Sequence, residues 1–225
     1  YELPPADRHE VVALYDGNLL RADASLARLF AGYREQGRWE DLAILVTSDH
    51  GEAFYEHDKW GHNTTMYEEM VHVPFVLKLP ADLDPASVDT DRPATLTDVL
   101  PTFLGLAGVE SPAEIAGVDL LDHDSTQGRP VLHRRLAKKP GYAVQAGGYK
   151  AIIEQQIRRE NLLFHLPSDP GEERDLLTEH PVVYLGLVSV LRQELRAAAV
   201  LGLTADPVAL GEEDVEMLEA LGYVD

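Results

Sequence analysis

Apolar residues recur at spacings of three and four along the first part of the chain. The positions are Val12, Tyr15, Leu19, Ala22, Leu26, Leu29 and Tyr33. Because an α-helix completes a turn in about 3.6 residues, this spacing places them on one side of a long amphipathic helix. Gly37 follows the last of them and indicates where the helix ends.

A short, continuous apolar run follows over residues 42–47 and stops at Ser48-Asp49-His50-Gly51. Such a run is typical of a strand that is buried on both faces, as in a parallel sheet. After a polar loop, residues 71–79 form a second apolar run, in which Pro74 favours an edge position or a bulge. The order helix, strand, loop, strand predicts the α/β class.

The remaining elements are predicted to be shorter. A helix is expected over residues 96–106, with Thr95 or Thr97 as its N-cap. Beyond Pro130, short strand-like runs separated by turns predict a small antiparallel sheet. These runs are residues 131–134, 142–146, 149–154 and 162–166. A helix follows over residues 184–198, whose apolar side buries against that sheet, and a short acidic helix is expected over residues 212–221.

The composition predicts a soluble, globular chain. Apolar residues make up 45% of it, which is enough for a core. The formal net charge of -20 disfavours non-specific binding to nucleic acid or to anionic membranes. No apolar run approaches the roughly 20 residues of a membrane-spanning helix. The absence of cysteine excludes disulfides and thiolate metal ligands from this chain.

Asp49 and His50 come directly after the first predicted strand. Open parallel sheets bind ligands beyond the carboxyl ends of their strands. A carboxylate beside an imidazole suits Mn²⁺, Zn²⁺ or Fe²⁺ and is acceptable for Ca²⁺. In the structural alternative, Asp49 caps a turn and His50 packs beside it. Short motifs often arise by chance, so the pair alone does not decide between these interpretations.

The loop after this pair has an unusual composition. The stretch from His50 to His62 contains three histidines, a lysine and an indole. This stretch, with Val46-Thr47-Ser48-Asp49 before it and Val73-Pro74-Phe75 after it, resembles the sulfatase family of the alkaline phosphatase superfamily. Three further segments are similar to that family. They are TDVLPTFLGLAG at 97–108, DPGEERDL at 169–176 and LEALGY at 218–223.

The resemblance implies roles for single residues. Asp49 and His50 match the two metal ligands that the second half of the family's catalytic domain contributes. His62 matches a lysine or histidine that contacts sulfate or phosphate oxygens, so it is the expected catalytic residue and also binds substrate. His57 and Lys59 are further candidates for substrate binding, with a loop-holding role and simple solvation as the respective alternatives.

The resemblance also implies a cofactor and a substrate class. A divalent metal ion is expected, with Ca²⁺ first for a sulfatase and Mn²⁺ or Zn²⁺ as alternatives. The expected substrate is a sulfate ester. A phosphate or phosphonate ester stays open, because an Asp-His pair also occurs in related phosphodiesterases and phosphonate monoester hydrolases. Acidic pairs such as Glu68-Glu69 and Glu172-Glu173 are expected to be solvated charges.

The implied fold is α/β. It comprises part of an alkaline-phosphatase-like, mainly parallel sheet with flanking helices, and a small C-terminal lobe of antiparallel sheet and helix. The expected domains are residues 1–128 for the C-terminal part of the catalytic domain, 129–203 for the small lobe and 204–225 for a tail with a short helix.

The family's nucleophile motif is missing. Relatives carry two Asp ligands on their first strand, and then Cys-x-Pro-x-Arg or Ser-x-Pro-x-Arg, whose first residue becomes a formylglycine. No residue of this chain heads such a pattern. Covalent catalysis needs an activated nucleophile, so we expect no ester hydrolysis by the chain alone. It is then a fragment that needs a missing N-terminal half, or a non-catalytic module that self-associates through an exposed sheet edge. The family favours a periplasmic or extracellular location.

Overall fold

The computed structural model describes residues 4–62, 65–113, 115–122, 124, 128–135, 141–154 and 161–200. The chain divides into two compact units, Tyr1–Leu191 and Arg192–Asp225. The acidic helix predicted over residues 212–221 lies outside the described residues. The predicted domain boundaries stay a prediction.

The described elements are a mixture of helices and short strands. In order they are α1 (Pro5–Glu35), β1 (Ile44–Thr47), β2 (Ala53–Phe54), β3 (Trp60–Gly61), α2 (Glu68–Val71), β4 (Phe75–Lys78), α3 (Val99–Leu106), β5 (Val131–Arg135), β6 (Gly141–Ala146), β7 (Tyr149–Glu154), β8 (Leu162–His165) and α4 (Pro181–Val200). Single 3-10 turns occur at Trp39–Asp41, Glu56–Asp58, Pro85–Ser87 and Leu96–Asp98. Among the described helices, none is both long enough and apolar enough to cross a membrane.

Helix α1 confirms the long amphipathic helix predicted at the start of the chain. Gly37 follows it with a φ of +67°, a conformation that glycine adopts without steric cost. The described elements cover the apolar stripe only in part, since Leu19 is 53% exposed. A helix of this kind normally buries its apolar side.

Strand β1 pairs with β4, and Val46 lies opposite Val76. We predicted a mainly parallel sheet, but the pairing is antiparallel in all three sheets of the described residues. Strand β1 is also half-buried, not buried on both faces. A continuous apolar run indicates apolar surroundings and not the direction of the neighbouring strand. That direction depends on the course of the chain between the strands.

Between β1 and β4, the chain forms the β2–β3 hairpin. Ala53 lies opposite Gly61 and Phe54 opposite Trp60. The ring of Phe54 packs edge-on against Tyr15 of α1, with 4.9 Å between the ring centroids. The tip of the hairpin is formed by residues 55–59, and the contact with the long helix lies directly next to it.

Thr95 caps the helix that continues into α3, as predicted. Its backbone N–H donates to Asp98 Oδ2 at 2.7 Å. Asp98 is fully buried and also pairs with Arg129. Burial opposes ionisation of Asp98, but the hydrogen bonds from Arg129 and from backbone N–H groups outweigh it and lower the pKa of the carboxyl. This pair ties α3 to the segment that leads into the C-terminal sheet.

The C-terminal sheet confirms the predicted antiparallel lobe, with strands in the order β5-β6-β7-β8. Side chains alternate between its faces. One face packs against α4 through Val144, Ala151, Leu163, Leu187 and Leu191. The other face packs against the segment that leads into α2, through Met66, Ala143, Ile152 and Phe164. The sheet is thus a platform for the segment that follows the β2–β3 hairpin.

His133 of β5 makes the stability of this sheet depend on pH. Burial, helped by the positive charge of Lys150, lowers the pKa of His133 from 6.5 to about 4. Between these values the unfolded chain binds more protons than the folded chain. We therefore expect the free energy of unfolding to fall as the pH drops from 6.5 to 4, by about 3 kcal/mol at most.

Urea unfolding of the wild type and of His133→Leu at several pH values within that window measures this effect. The variant lacks the ionisable ring, so its stability should decline less on acidification than that of the wild type. Parallel declines in the two proteins would contradict the assignment.

Candidate functional site

The site begins where β1 ends. Asp49 and His50 lie directly beyond this strand, and Asp49 Oδ1 is 3.9 Å from His50 Nε2. The side chain of Asp49 is 71% exposed and that of His50 is 26% exposed. The two side chains therefore lie side by side at the surface, as the sequence predicted.

Local hydrogen bonds fix the orientation of His50. Its Nδ1 lies 2.8 Å from the carbonyl oxygen of Gly51. A carbonyl oxygen only accepts, so Nδ1 carries the hydrogen and donates it, and Nε2 is the nitrogen that offers a lone pair in the neutral ring. Gly51 itself lies against the backbone of α2, since a Cβ at this position would be 2.0 Å from the Glu69 carbonyl oxygen. Glycine is therefore required there.

The β2–β3 hairpin brings His62 back to this point. The rings of His50 and His62 stack with 4.9 Å between centroids and 25° between planes. His62 Nδ1 lies 3.3 Å from Glu52 Oε2. The structure therefore brings Asp49, His50 and His62 together at one partly exposed surface, with Glu52 as a partner that sequence reasoning did not single out.

Asp49 and His50 can share one cation. Their donor atoms are 3.9 Å apart, which is less than twice a metal–ligand distance of about 2.0 to 2.6 Å. Within the described ranges, however, no group of three or more His, Asp or Glu side chains is arranged to hold a metal ion. Two ligands hold an ion weakly, so further ligands would have to complete the site.

His57 lies in a different set of contacts. Its Nδ1 is 3.0 Å from Glu69 Oε1, and its Nε2 is 3.1 Å from the carbonyl oxygen of Gly171. The ring lies flat on Tyr67, with 3.7 Å between centroids and 3° between planes. These contacts are those of a residue that holds the loop, which was our alternative interpretation. Its substrate-binding role stays a prediction.

Lys59 is an exposed residue at the tip of the β2–β3 hairpin. Its carbonyl oxygen accepts a hydrogen bond from the N–H of Tyr55 at 2.7 Å, which closes the tip. The backbone of Lys59 thus has a structural role, while substrate binding by its ammonium group stays a prediction.

A buried ionic network lies behind the site. Lys150 of β7 is fully buried, and its Nζ lies 2.7 Å from Glu68 Oε1 and 2.9 Å from Glu172 Oε1. Glu172 Oε2 also accepts from the backbone N–H of Glu68 at 2.6 Å. Gln145 donates to Glu68 Oε1 at 2.9 Å. The network links the start of α2 to the C-terminal sheet and to the turn that follows β8.

The expectation of solvated acidic pairs is wrong for three of their four members. Glu172 is buried, and Glu68 and Glu69 are largely covered. Burial raises the pKa of Glu172, and Lys150 offsets part of that effect. Acidic pairs in a sequence are solvated on average, but here buried Lys150 and His57 pair with these carboxylates. The signal in the sequence was Lys150 itself, a cation within the apolar run of a predicted strand.

Tyr67 lies between His57 and the C-terminal sheet. Burial and the negative charges of Glu172 and Glu69 raise the pKa of Tyr67 to about 12. Its phenol therefore stays neutral at physiological pH. The ring packs on Phe164 of the C-terminal sheet, with 5.8 Å between centroids.

Comparison with known proteins identifies the family. The family model described as "N-sulphoglucosamine sulphohydrolase, C-terminal" matches residues 56–200, and the model described as "Sulfatase" matches residues 2–109. The chain belongs to the sulfatase family. This confirms the resemblance, because both matches include part of the region between Asp49 and His62.

Sulfatases from distant organisms are similar to this chain. Arylsulfatase K of Bos taurus is 28% identical over 203 residues, which are 82% of this chain and 36% of that protein. The N-acetylglucosamine-6-O-sulfatase of Bacteroides thetaiotaomicron is 32% identical over 175 residues, which are 72% of this chain and 31% of that protein. The chain thus spans about a third of the length of these curated sulfatases.

Solved structures show the same fold. The phosphonate monoester hydrolase of Agrobacterium radiobacter superposes with a TM-score of 0.66 at 22% identity, over 85% of this chain and 42% of that chain. The fold class predicted from the sequence, α/β of the alkaline phosphatase type, is confirmed by likenesses of this kind.

Proposed function

We propose that this chain is the C-terminal part of a sulfuric ester hydrolase, to which it contributes two metal ligands and a substrate-binding histidine. Asp49 and His50 are the ligands, and His62 is the catalytic and substrate-binding residue. The observation that carries the proposal is the stacking of His62 on His50, with Asp49 beside them at a partly exposed surface.

The contact with Glu52 determines what His62 can do. An ionised carboxylate only accepts, so His62 Nδ1 donates to Glu52, and Nε2 is the nitrogen through which the ring contacts an ester oxygen. A cation at this point would neutralise charge that shifts toward the leaving oxygen in the transition state. His62 thereby binds the ester more tightly as the leaving oxygen departs.

A divalent ion bound by Asp49 and His50 would polarise the ester oxygen. Ca²⁺ is our first choice because the chain belongs to the sulfatase family, and Mn²⁺ or Zn²⁺ are alternatives suited to the imidazole. The relatives' names support a sulfate ester as substrate. Two of those names refer to glucosamine derivatives, so a sulfated sugar is the first substrate to test.

The proposal requires a nucleophile and further metal ligands from outside this chain. Exposed apolar surface on the α1 stripe and on β4 supports a partner, since Leu19 and Leu29 of α1 and Val76 of β4 are all mainly exposed. We propose that the N-terminal half of the sulfatase covers this surface. In the alternative, the chain is a non-catalytic module that self-associates there. Sedimentation of the purified chain distinguishes a stable self-associated form from a monomer that awaits its other half.

His62 provides the test of the catalytic role. In the enzyme assembled with the nucleophile segment, we expect His62→Ala to lower kcat for an aryl sulfate by about 100-fold, which is the usual effect of losing one group that stabilises transition-state charge. His62→Lys restores a cation and should keep most of the activity. Steady-state kinetics with an aryl sulfate, an aryl phosphate and a phosphonate monoester measure both effects.

The matched control is His9→Ala, which removes an exposed imidazole from α1. It should leave kcat unchanged. Faster turnover of the phosphate or phosphonate ester than of the sulfate ester would favour the phosphodiesterase or phosphonate hydrolase alternative over the sulfatase assignment. Full activity of His62→Ala on all three esters would refute the role of His62.

A further inference from the structure

The ring of His57 is surrounded by hydrogen-bond acceptors on two sides. Glu69 Oε1 lies 3.0 Å from its Nδ1, while the carbonyl oxygens of Gly171 and Glu172 lie 3.1 Å and 3.3 Å from its Nε2. Carbonyl oxygens and an ionised carboxylate only accept. The ring of His57 therefore bridges α2 and the turn that follows β8.

The backbone around His57 is strained. Tyr55, His57 and Asp58 have φ values of +83°, +47° and +56°, although none of them is glycine. Such conformations cost on the order of 1 to 3 kcal/mol each and persist only where other contacts hold them. Three of them at the tip of one hairpin show that the tip does not keep this shape by local preference.

The turn that receives His57 is firmly anchored. Glu172 follows Gly171, and its buried carboxyl pairs with Lys150 and accepts from the N–H of Glu68. The stacking partner of His57, Tyr67, packs on the C-terminal sheet through Phe164. His57 is therefore contacted by Glu69 of α2, by Tyr67 just before that helix, and by two carbonyl oxygens of the turn. All of them belong to or adjoin the platform formed by the C-terminal sheet.

We propose that His57 is a positioning residue, which clasps the tip of the β2–β3 hairpin to the C-terminal sheet and thereby sets the position of His62 against His50. His62 comes one residue after β3, so a displaced hairpin carries its ring away from the stack. The consequence for catalysis rests on the proposed function. The clasp itself does not, and it is tested without turnover.

The test compares His57→Gln with His9→Gln in the full chain. Loss of the clasp should speed hydrogen exchange at the Tyr55 amide, which bonds to Lys59 across the hairpin tip, by about tenfold, or 1.4 kcal/mol. The ring-proton resonances of His50 and His62 should shift as their stack loosens, while amides of β6 and β7 keep their exchange rates. His9→Gln should change none of these signals.

A second pair of variants separates the clasp from general destabilisation. Glu69→Gln keeps an oxygen acceptor for His57, whereas Glu69→Leu removes it. We expect Glu69→Gln to retain the wild-type exchange rate at Tyr55 within about threefold and Glu69→Leu to behave like His57→Gln.

Two results would overturn the proposal. One is unchanged Tyr55 exchange and unchanged His50 and His62 ring signals in His57→Gln. The other is equal behaviour of Glu69→Gln and Glu69→Leu. An assembled enzyme with no sulfatase activity, but with the expected exchange and ring signals, would instead refute the proposed function and leave the clasp intact.

Discussion

Replacement of Asp49 by alanine should abolish metal binding and catalysis together. We expect the affinity for Ca²⁺ or Mn²⁺ to fall by at least about 100-fold, since loss of a hydrogen-bond partner behind a metal ligand already costs 10- to 100-fold. In the assembled enzyme, turnover of an aryl sulfate should fall by about 1,000-fold or more, because the ion and its electrostatic contribution are lost. Titration calorimetry and steady-state kinetics measure the two effects.

The matched control for Asp49→Ala is Asp82→Ala, which removes an exposed carboxylate from a surface turn. It should leave metal affinity and turnover unchanged. If Asp49→Ala bound the metal as tightly as the wild type, Asp49 and His50 would not be a ligand pair. Asp49 would then cap a turn, with His50 packed beside it.

Replacement of Lys150 by methionine should cause the largest loss of stability. Lys150 is fully buried between Glu68 and Glu172, and its removal leaves buried carboxylates without a counter-charge. Breaking a buried pair in this way costs about 3 to 5 kcal/mol. For a chain of this size, the midpoint of thermal unfolding should fall by roughly 10 °C. Calorimetry and urea unfolding measure the change.

Two further variants give this prediction its controls. Lys59→Met makes the same substitution at an exposed position and should change the free energy of unfolding by less than about 0.5 kcal/mol. Adding Glu172→Gln to Lys150→Met removes one uncompensated charge and should recover part of the loss. Equal stability of Lys150→Met and the wild type would show that the network contributes nothing to the fold.

Two separate segments of the chain form the His50–His62 stack. Strand β1 presents Asp49 and His50, while the β2–β3 hairpin returns His62, and Glu52 orients its ring. Behind the hairpin, Glu68 and Glu172 share Lys150 with the C-terminal sheet. The site loop and the C-terminal sheet belong to the same compact unit.

The local pattern of the sequence was sufficient for many elements. Apolar spacings of three and four predicted α1 and α4. Thr95 predicted the start of the helical segment that includes α3, and short strand-like runs separated by turns predicted the sheet from β5 to β8. These features depend on residues close together in the chain, whose side chains share a face because of the helical or strand period. The motif around Asp49 likewise identified the family before any geometry was known.

The tertiary structure decided what depends on residues far apart in the chain. The direction of β4 relative to β1, the burial of Glu172 by Lys150 and the contact of His57 with a turn 114 residues away are all of this kind. Periodicity and composition describe the average surroundings of a residue but not its partners. A carboxylate or an imidazole is stable in water or in a buried hydrogen-bonded network, and only the folded chain determines which of the two it meets.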